Sequence, residues 1–174
     1  MWVTDLSAER DHLPVPVTRP ASDFAPSAHP PRRLLLVEDS VADVQLFKHR
    51  MRACAPDTKI SVAGDGASAM EVLDEIIEGT VPSPDLLVLD LNLPILKGWA
   101  VLRYMKRSPL LRFIPVVVLS SSRAQRDIER AYDEGAASFI HKGRDLDDFF
   151  GVVDAIHAYW CGVADLPQDP GKSH

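Results

Sequence analysis

The sequence predicts an α/β domain built on a doubly wound parallel sheet, and three short runs carry that expectation. Leu34-Leu35-Leu36-Val37, Leu86-Leu87-Val88-Leu89 and Val116-Val117-Val118-Leu119 are each four apolar branched residues long, with no polar alternation. That pattern marks strands buried on both faces, as in a parallel sheet. Each run ends in an oxygen-bearing side chain: Glu38-Asp39 after the first, Asp90 after the second, Ser120 after the third. Parallel strands bring such ends side by side, at the edge where open α/β sheets do their ligand chemistry.

The remaining elements alternate with these strands as βα units require. Ser40-Val41-Ala42-Asp43 is a capping-type start for a first helix with Val44, Phe47 and Met51 at helical spacing. A second strand over Lys59 to Ala63 ends at Gly64-Asp65-Gly66, a turn calling for flexible backbone, and a second helix shows Ala69, Met70, Leu73, Ile76 and Ile77 on one face. Past Asp90, the loop Leu91-Asn92-Leu93-Pro94 leads through Gly98 to a third helix with Val101, Leu102 and Met105 inward. A fourth helix, Ala124 to Glu134, stops at Gly135, placed for a left-handed C-cap. A fifth strand, Ser138 to His141, precedes Lys142-Gly143, and a last helix carries Leu146, Phe149, Val153, Ile156 and Trp160.

Bulk properties fit one ordinary domain: 174 residues, 46% hydrophobic and 25% charged. The net charge of −6 argues against a nucleic-acid surface. No apolar stretch approaches the ~20 residues that span a bilayer, and the start lacks the basic and apolar regions of a secretory signal. Cys54 and Cys161 match no metal or redox spacing and read as reduced thiols of a cytoplasmic protein. Residues 1–31 hold Pro14, Pro16, Pro20, Pro26, Pro30 and Pro31 and read as a disordered tail. Residues 32–160 form the domain and 161–174 a short C-terminal tail.

Three carboxylates, Glu38, Asp39 and Asp90, gathered at one sheet edge repel strongly unless a cation joins them. Hard oxygen ligands with room for water suit Mg²⁺. Asp39 and Asp90 would be direct ligands, the backbone carbonyl of Asn92 a third, and Glu38 would act through water. Lys142 follows the fifth strand and reaches the same edge as counter-charge and anion ligand, while Ser120 offers a hydroxyl. Carboxylate nucleophile, metal, lysine and hydroxyl together make a phosphoryl-transfer set.

Leu36-Val37-Glu38-Asp39-Ser40, Asp65-Gly66, Asp90-Leu91-Asn92-Leu93-Pro94, Gly98, Ile114 to Ser120, and Lys142 together resemble the receiver domain of two-component response regulators. The resemblance spans about Arg32 to Tyr159. It implies a flavodoxin-like fold with strand order 2-1-3-4-5. It also implies Asp90 as phospho-acceptor, Glu38 and Asp39 as the acidic pair for Mg²⁺, Ser120 as switch hydroxyl, Lys142 as phosphate-contacting lysine and Phe139 as aromatic switch. Gly143 stands where the family usually has proline, and Ser120 where threonine is commoner. Asp127-Ile128, Tyr132, Ala158-Tyr159-Trp160 and Leu166-Pro167 look like the single-domain regulators that partner phytochrome-type histidine kinases.

Rival readings fare worse. A haloacid-dehalogenase-type phosphohydrolase has its nucleophile on the first strand and a second acid two residues on; here the strand is the third and the residue is Asn92. A pseudo-receiver that binds partners without phosphorylation would not need so complete a pocket. A flavin-binding protein would carry a phosphate loop after the first strand, which Glu38 to Ser40 does not supply. His141 beside Lys142 reads as a solvated loop histidine, and His12, His29 and His174 as tail residues. The wide apolar arc of the last helix (Phe149, Val153, Ile156 and Trp160, flanked by Leu146, Phe150 and His157) suggests a homodimer through helix 4, strand 5 and helix 5, with Leu166-Pro167 folding over the partner.

Overall fold

The computed structural model describes residues 33–167; the expectations for the proline-rich segment, for His12, His29 and for His174 lie outside them. Elements alternate as β1 (Arg33–Val37), α1 (Val41–Cys54), β2 (Lys59–Ala63), α2 (Gly66–Ile77), β3 (Leu86–Leu89), α3 (Gly98–Arg107), β4 (Val116–Ser120), α4 (Gln125–Asp133), β5 (Ser138–His141) and α5 (Leu146–Trp160). The strands form one sheet in the order β2-β1-β3-β4-β5, every pair parallel.

Alternating side chains split the core into two layers. Leu35 and Val37 of β1 face Ala69 and Leu73 of α2 and Val101, Leu102 and Met105 of α3, with Ala131 of α4 in the same layer. Leu34 and Leu36 face Val44, Phe47 and Met51 of α1 and Phe149, Val153 and Ile156 of α5. The three apolar runs are thus buried on both sides, as their lack of alternation demands.

Local chemistry sets the element ends. The Ser40 hydroxyl caps α1 by accepting from the Asp43 amide at 3.2 Å, and Asp65 caps α2 reciprocally with Ser68. Gly135 ends α4 at φ +91, the left-handed stop its position suggests. Gly66 answers a different need from the one expected: its φ is not positive. It admits the Leu96 carbonyl, which would stand 2.0 Å from any Cβ added there. Ile77 is 37% exposed and falls off the buried stripe of α2.

The broad apolar arc of α5 has an intramolecular explanation. Phe149, Val153, Ile156 and Trp160 face the sheet, whereas Phe150 sits in the α1–α5 seam. Its ring lies 6.3 Å from that of His49, and the Arg50 guanidinium stands 5.6 Å over it. Arg50 also grips Asp154 through two hydrogen bonds of 2.6 Å. Leu166 is 8% exposed and packs on the α1–α5 layer of its own chain, so its side chain is spent within the domain rather than on a partner. At ~100° per residue, Tyr159 falls on the opposite flank of α5 from Phe150 and Asp154; it and Val163, in the turn after α5, are 55% and 40% exposed.

Candidate phosphoryl-transfer site

The C-terminal ends of β1, β3 and β5 meet as the sequence reading requires. Asp90 directly follows β3, and its amide donates to the Val37 carbonyl of β1 at 2.9 Å, fixing the backbone that carries the carboxylate. Glu38 directly follows β1, with its amide on the Ala63 carbonyl of β2 at 3.0 Å. Glu38 and Asp90 are buried and Asp39 is exposed, and one carboxylate oxygen from each lies within 4.8 Å of the others.

Each buried carboxylate is held by two kinds of donor. Asp90 Oδ1 accepts from the Asn92 amide at 2.9 Å and Oδ2 from Lys142 Nζ at 2.7 Å. Glu38 Oε1 accepts from the Ser40 amide at 3.1 Å, and its Oε2 lies 2.7 Å from Lys142 Nζ. Burial pushes the Glu38 carboxyl above its ordinary range, opposed by the hydrogen bond and charge of Lys142. Burial works against the Lys142 ammonium too, but its hydrogen bonds with Asp90 and Glu38 outweigh that and hold its pKa above an ordinary lysine.

Asp43 is a member of this cluster that the sequence reading placed only in the helix start. Its Oδ2 accepts from Lys142 Nζ at 3.0 Å. Three carboxylates, Glu38, Asp43 and Asp90, therefore stand around one ammonium, Asp39 clusters with two of them, and that surplus of hard, negative oxygen fits a divalent cation. Asp39, open to solvent, and Glu38 and Asp90 behind it supply the protein's side of such a site.

Ser120 ends β4 and is fully buried; its Oγ accepts from the Ser122 amide at 3.2 Å. Its carbonyl takes the Lys142 amide at 3.0 Å, tying the ends of β4 and β5 together. Asn92 reaches the same β4–α4 loop, its Nδ2 donating to Ser121 Oγ at 3.3 Å. Phe139 lies on β5, half-buried against the α2–α4 layer. His141 is not the solvated loop residue expected: it is the last residue of β5, half-buried, with its ring edge-on to Phe139 at 5.5 Å.

Two glycines shape the rim. Gly98 passes so close to the Asp90 backbone that an added Cβ would lie 2.2 Å from the Asp90 carbonyl oxygen. Gly143, where the receiver pattern usually has proline, adopts φ +87, which proline cannot. A cavity of about 330 Å³ lined by Asp43, Lys142, Gly143 and Leu146 opens beside the ammonium.

A doubly wound sheet with an acidic, lysine-bridged pocket at its carboxyl edge defines a phosphoryl-handling signalling module. The family model for the response regulator receiver domain matches residues 34–154, and the chain belongs to that family. Response regulator Rcp1 of Synechocystis sp. is 37% identical over 141 residues, covering 80% of this chain and 96% of Rcp1. The structure of the Mn²⁺-bound form of Rcp1 matches with a TM-score of 0.75 at 36% identity, over 79% of this chain and all of that one. The phosphorylated cyanobacterial phytochrome response regulator RcpA gives 0.74 at 37% identity, covering 79% of this chain and 99% of RcpA. The chain is a receiver protein of two-component signalling, and no helix among the described residues is long and apolar enough to cross a membrane.

Proposed function

We propose that Asp90 accepts a phosphoryl group from the phosphohistidine of a histidine kinase. The carrying observation is Lys142 Nζ set 2.7 Å from both Asp90 Oδ2 and Glu38 Oε2, an arrangement that neutralises the nucleophile's surroundings without blocking Oδ1. An oxygen of Asp90 bonds to phosphorus as the donor's P–N bond breaks; the electron pair returns to the leaving imidazole, which takes up a proton. Lys142 and the Ser120 hydroxyl then hold the oxygens of the new acyl phosphate.

Glu38, Asp39, Asp90 and the backbone carbonyl of Asn92 would hold Mg²⁺, with Glu38 acting through water. When bound, the ion neutralises charge on the transferring group. The Mn²⁺ form of Rcp1 supports a divalent cation here. Ser120 and Phe139 form the switch, the hydroxyl drawn to the phosphoryl group and the ring following. Hydrolysis of the acyl phosphate within the same pocket resets it. Likeness to RcpA, a phytochrome response regulator, supports a phytochrome-type kinase as donor. The output is association with a partner or with a second copy through the α4–β5–α5 face.

Intact mass after incubation with acetyl phosphate tests the acceptor. One phosphoryl group should be gained in Mg²⁺ and none in EDTA or in Asp90→Asn. Gain that persists in either control overturns the assignment.

A further inference from the structure

His141 carries an oddity at the centre of this machinery. Its Nδ1 is buried, with no hydrogen-bond partner among the described residues. A buried polar atom left unpaired disfavours the state that contains it. In register, His141 stands opposite Ser120 across the β4–β5 pair, while Phe139 stands opposite Val118 two residues earlier. Residues two apart on a strand share a face, so His141 lies on the α4 side of the sheet. There it touches the Phe139 ring edge-on at 5.5 Å and 73° and stands in register with Ser120, so it neighbours both residues of the proposed switch.

A potential partner for that nitrogen is engaged two residues past Ser120, the residue opposite His141. The Ser122 amide donates to Ser120 Oγ at 3.2 Å. The loop is further tied by Ser122 Oγ, which accepts from the Ala124 amide at 3.3 Å and donates to Asp127 Oδ2 at 2.5 Å. If Ser120 Oγ turns to a phosphoryl group on Asp90, the Ser122 amide loses its acceptor. With the imidazole proton on Nε2, one unused acceptor at the end of β5 and one freed donor two residues past β4 then belong to adjacent strands.

We infer that His141 is a positioning residue of the switch, whose Nδ1 takes over the Ser122 amide when Ser120 turns toward phosphorylated Asp90. The unpaired nitrogen disfavours the resting state, and the new bond favours the activated one, so His141 shifts the balance toward activation. Through its edge contact with Phe139, it also couples the β4–α4 loop to the ring. This rests on the proposed phospho-acceptance by Asp90 and adds a third residue to the switch.

The test uses the full chain labelled with ¹⁵N-histidine, Mg²⁺, and beryllofluoride as phosphoryl mimic. In the wild type the Nδ1 resonance of His141 should move from an unbonded to a hydrogen-bonded acceptor position on beryllofluoride addition, and it should stay put in Ser120→Ala. His141→Phe, which keeps a ring edge for Phe139 but no acceptor, should bind beryllofluoride about tenfold more weakly. His141→Asn, whose Oδ1 can stand in for Nδ1, should recover most of that loss. Wild type that binds the mimic with a stationary Nδ1 resonance overturns the inference and leaves the acceptor reading intact. So does His141→Phe binding as tightly as wild type. Wild type that does not bind the mimic in Mg²⁺ overturns both. The Nδ1 reading on the wild type needs no variant to fold.

Discussion

Lys142 Nζ reaches Asp90 Oδ2 at 2.7 Å although their strands, β5 and β3, are separated by β4. The lysine spans the carboxyl edge of the sheet and meets Glu38 and Asp43 from β1 and α1 on the far side, at 2.7 and 3.0 Å. One flexible side chain thus compensates carboxylates contributed by separate βα units, and it does so only because the parallel order sets their ends in a row.

Removing that side chain should expose the cost of the cluster. Lys142→Ala leaves Glu38 and Asp90 buried without their cation, a change worth about 3 kcal/mol of lost stability. The raised lysine pKa means its contribution is fully present below 10.5, its ordinary value, and is lost only as pH rises through the still higher folded-state value. The loss should therefore appear in full at pH 7. Mg²⁺ should restore more stability to the variant than it adds to the wild type. Urea unfolding in EDTA and in Mg²⁺ measures both, and equal stability of the two proteins in EDTA rules the account out.

The loop after Lys142 yields a sharper test of local geometry. Gly143 stands at φ +87, with Asp148 Cβ only 2.6 Å from where its own Cβ would be. Putting in the family's usual proline, Gly143→Pro, demands φ near −65° and should disturb both the loop and the placement of Lys142. We expect a loss of about 2 kcal/mol or more and slower phosphorylation by acetyl phosphate. A variant as stable and as fast as wild type would show that the loop tolerates either backbone.

Much of this was legible in the sequence, for identifiable reasons. β1, β3 and β4 announce themselves because strands buried on both faces cannot alternate polar and apolar residues, and their ends locate Glu38, Asp90 and Ser120. Asp43 was not legible as a pocket residue, because a first-turn acid after Ser40 already has a capping explanation. Phe150 misled for the opposite reason. Periodicity reveals that a helix has a broad apolar arc but not which neighbour covers it, and α1 covers this one. Leu166 follows α5 with no periodicity to assign it, so only packing reveals that it is buried. His141 offered no sign that Nδ1 would be sealed from solvent, since that depends on the β4–β5 register.

The thiol of Cys161 should be unreactive in the folded protein. Burial pushes it up to about 11, with the neighbouring Cys54 thiol adding to the effect. In a Cys54→Ser background, iodoacetamide at pH 8 should modify it far more slowly than in urea. A raised thiol pKa favours folding below the ordinary value of 9.0 and ceases to do so as pH rises through about 11. Stability should accordingly fall across that interval, and less so in Cys161→Val. Equal alkylation rates in buffer and in urea would contradict the burial on which this rests.

Self-association should depend on the outer flank of α5 rather than on its core stripe. Trp160 is 9% exposed and Phe150 lies in the α1 seam, so substitutions there would unfold the domain before they reported on a dimer. Tyr159 and Val163, 55% and 40% exposed, are apolar residues at the C-terminal end of α5 open to a second copy, alongside Leu146 on α5 and Tyr132 on α4. Among the described residues no strand pairs with the outer side of edge strand β5, where the Phe139 amide donates to the Tyr132 hydroxyl at 3.3 Å, a second reason for contact at this face. Tyr159→Asp with Val163→Asp should leave thermal stability within about 1 kcal/mol of wild type, as expected for surface changes. It should also abolish the dimer in sedimentation velocity. Beryllofluoride with Mg²⁺ should strengthen wild-type association if the proposed switch operates, because Ser120 and Phe139 lie on β4 and β5 beside the α4 side of this face. Wild type that sediments as a monomer at all micromolar concentrations, with and without the mimic, excludes the homodimer and leaves a heterologous partner as the output.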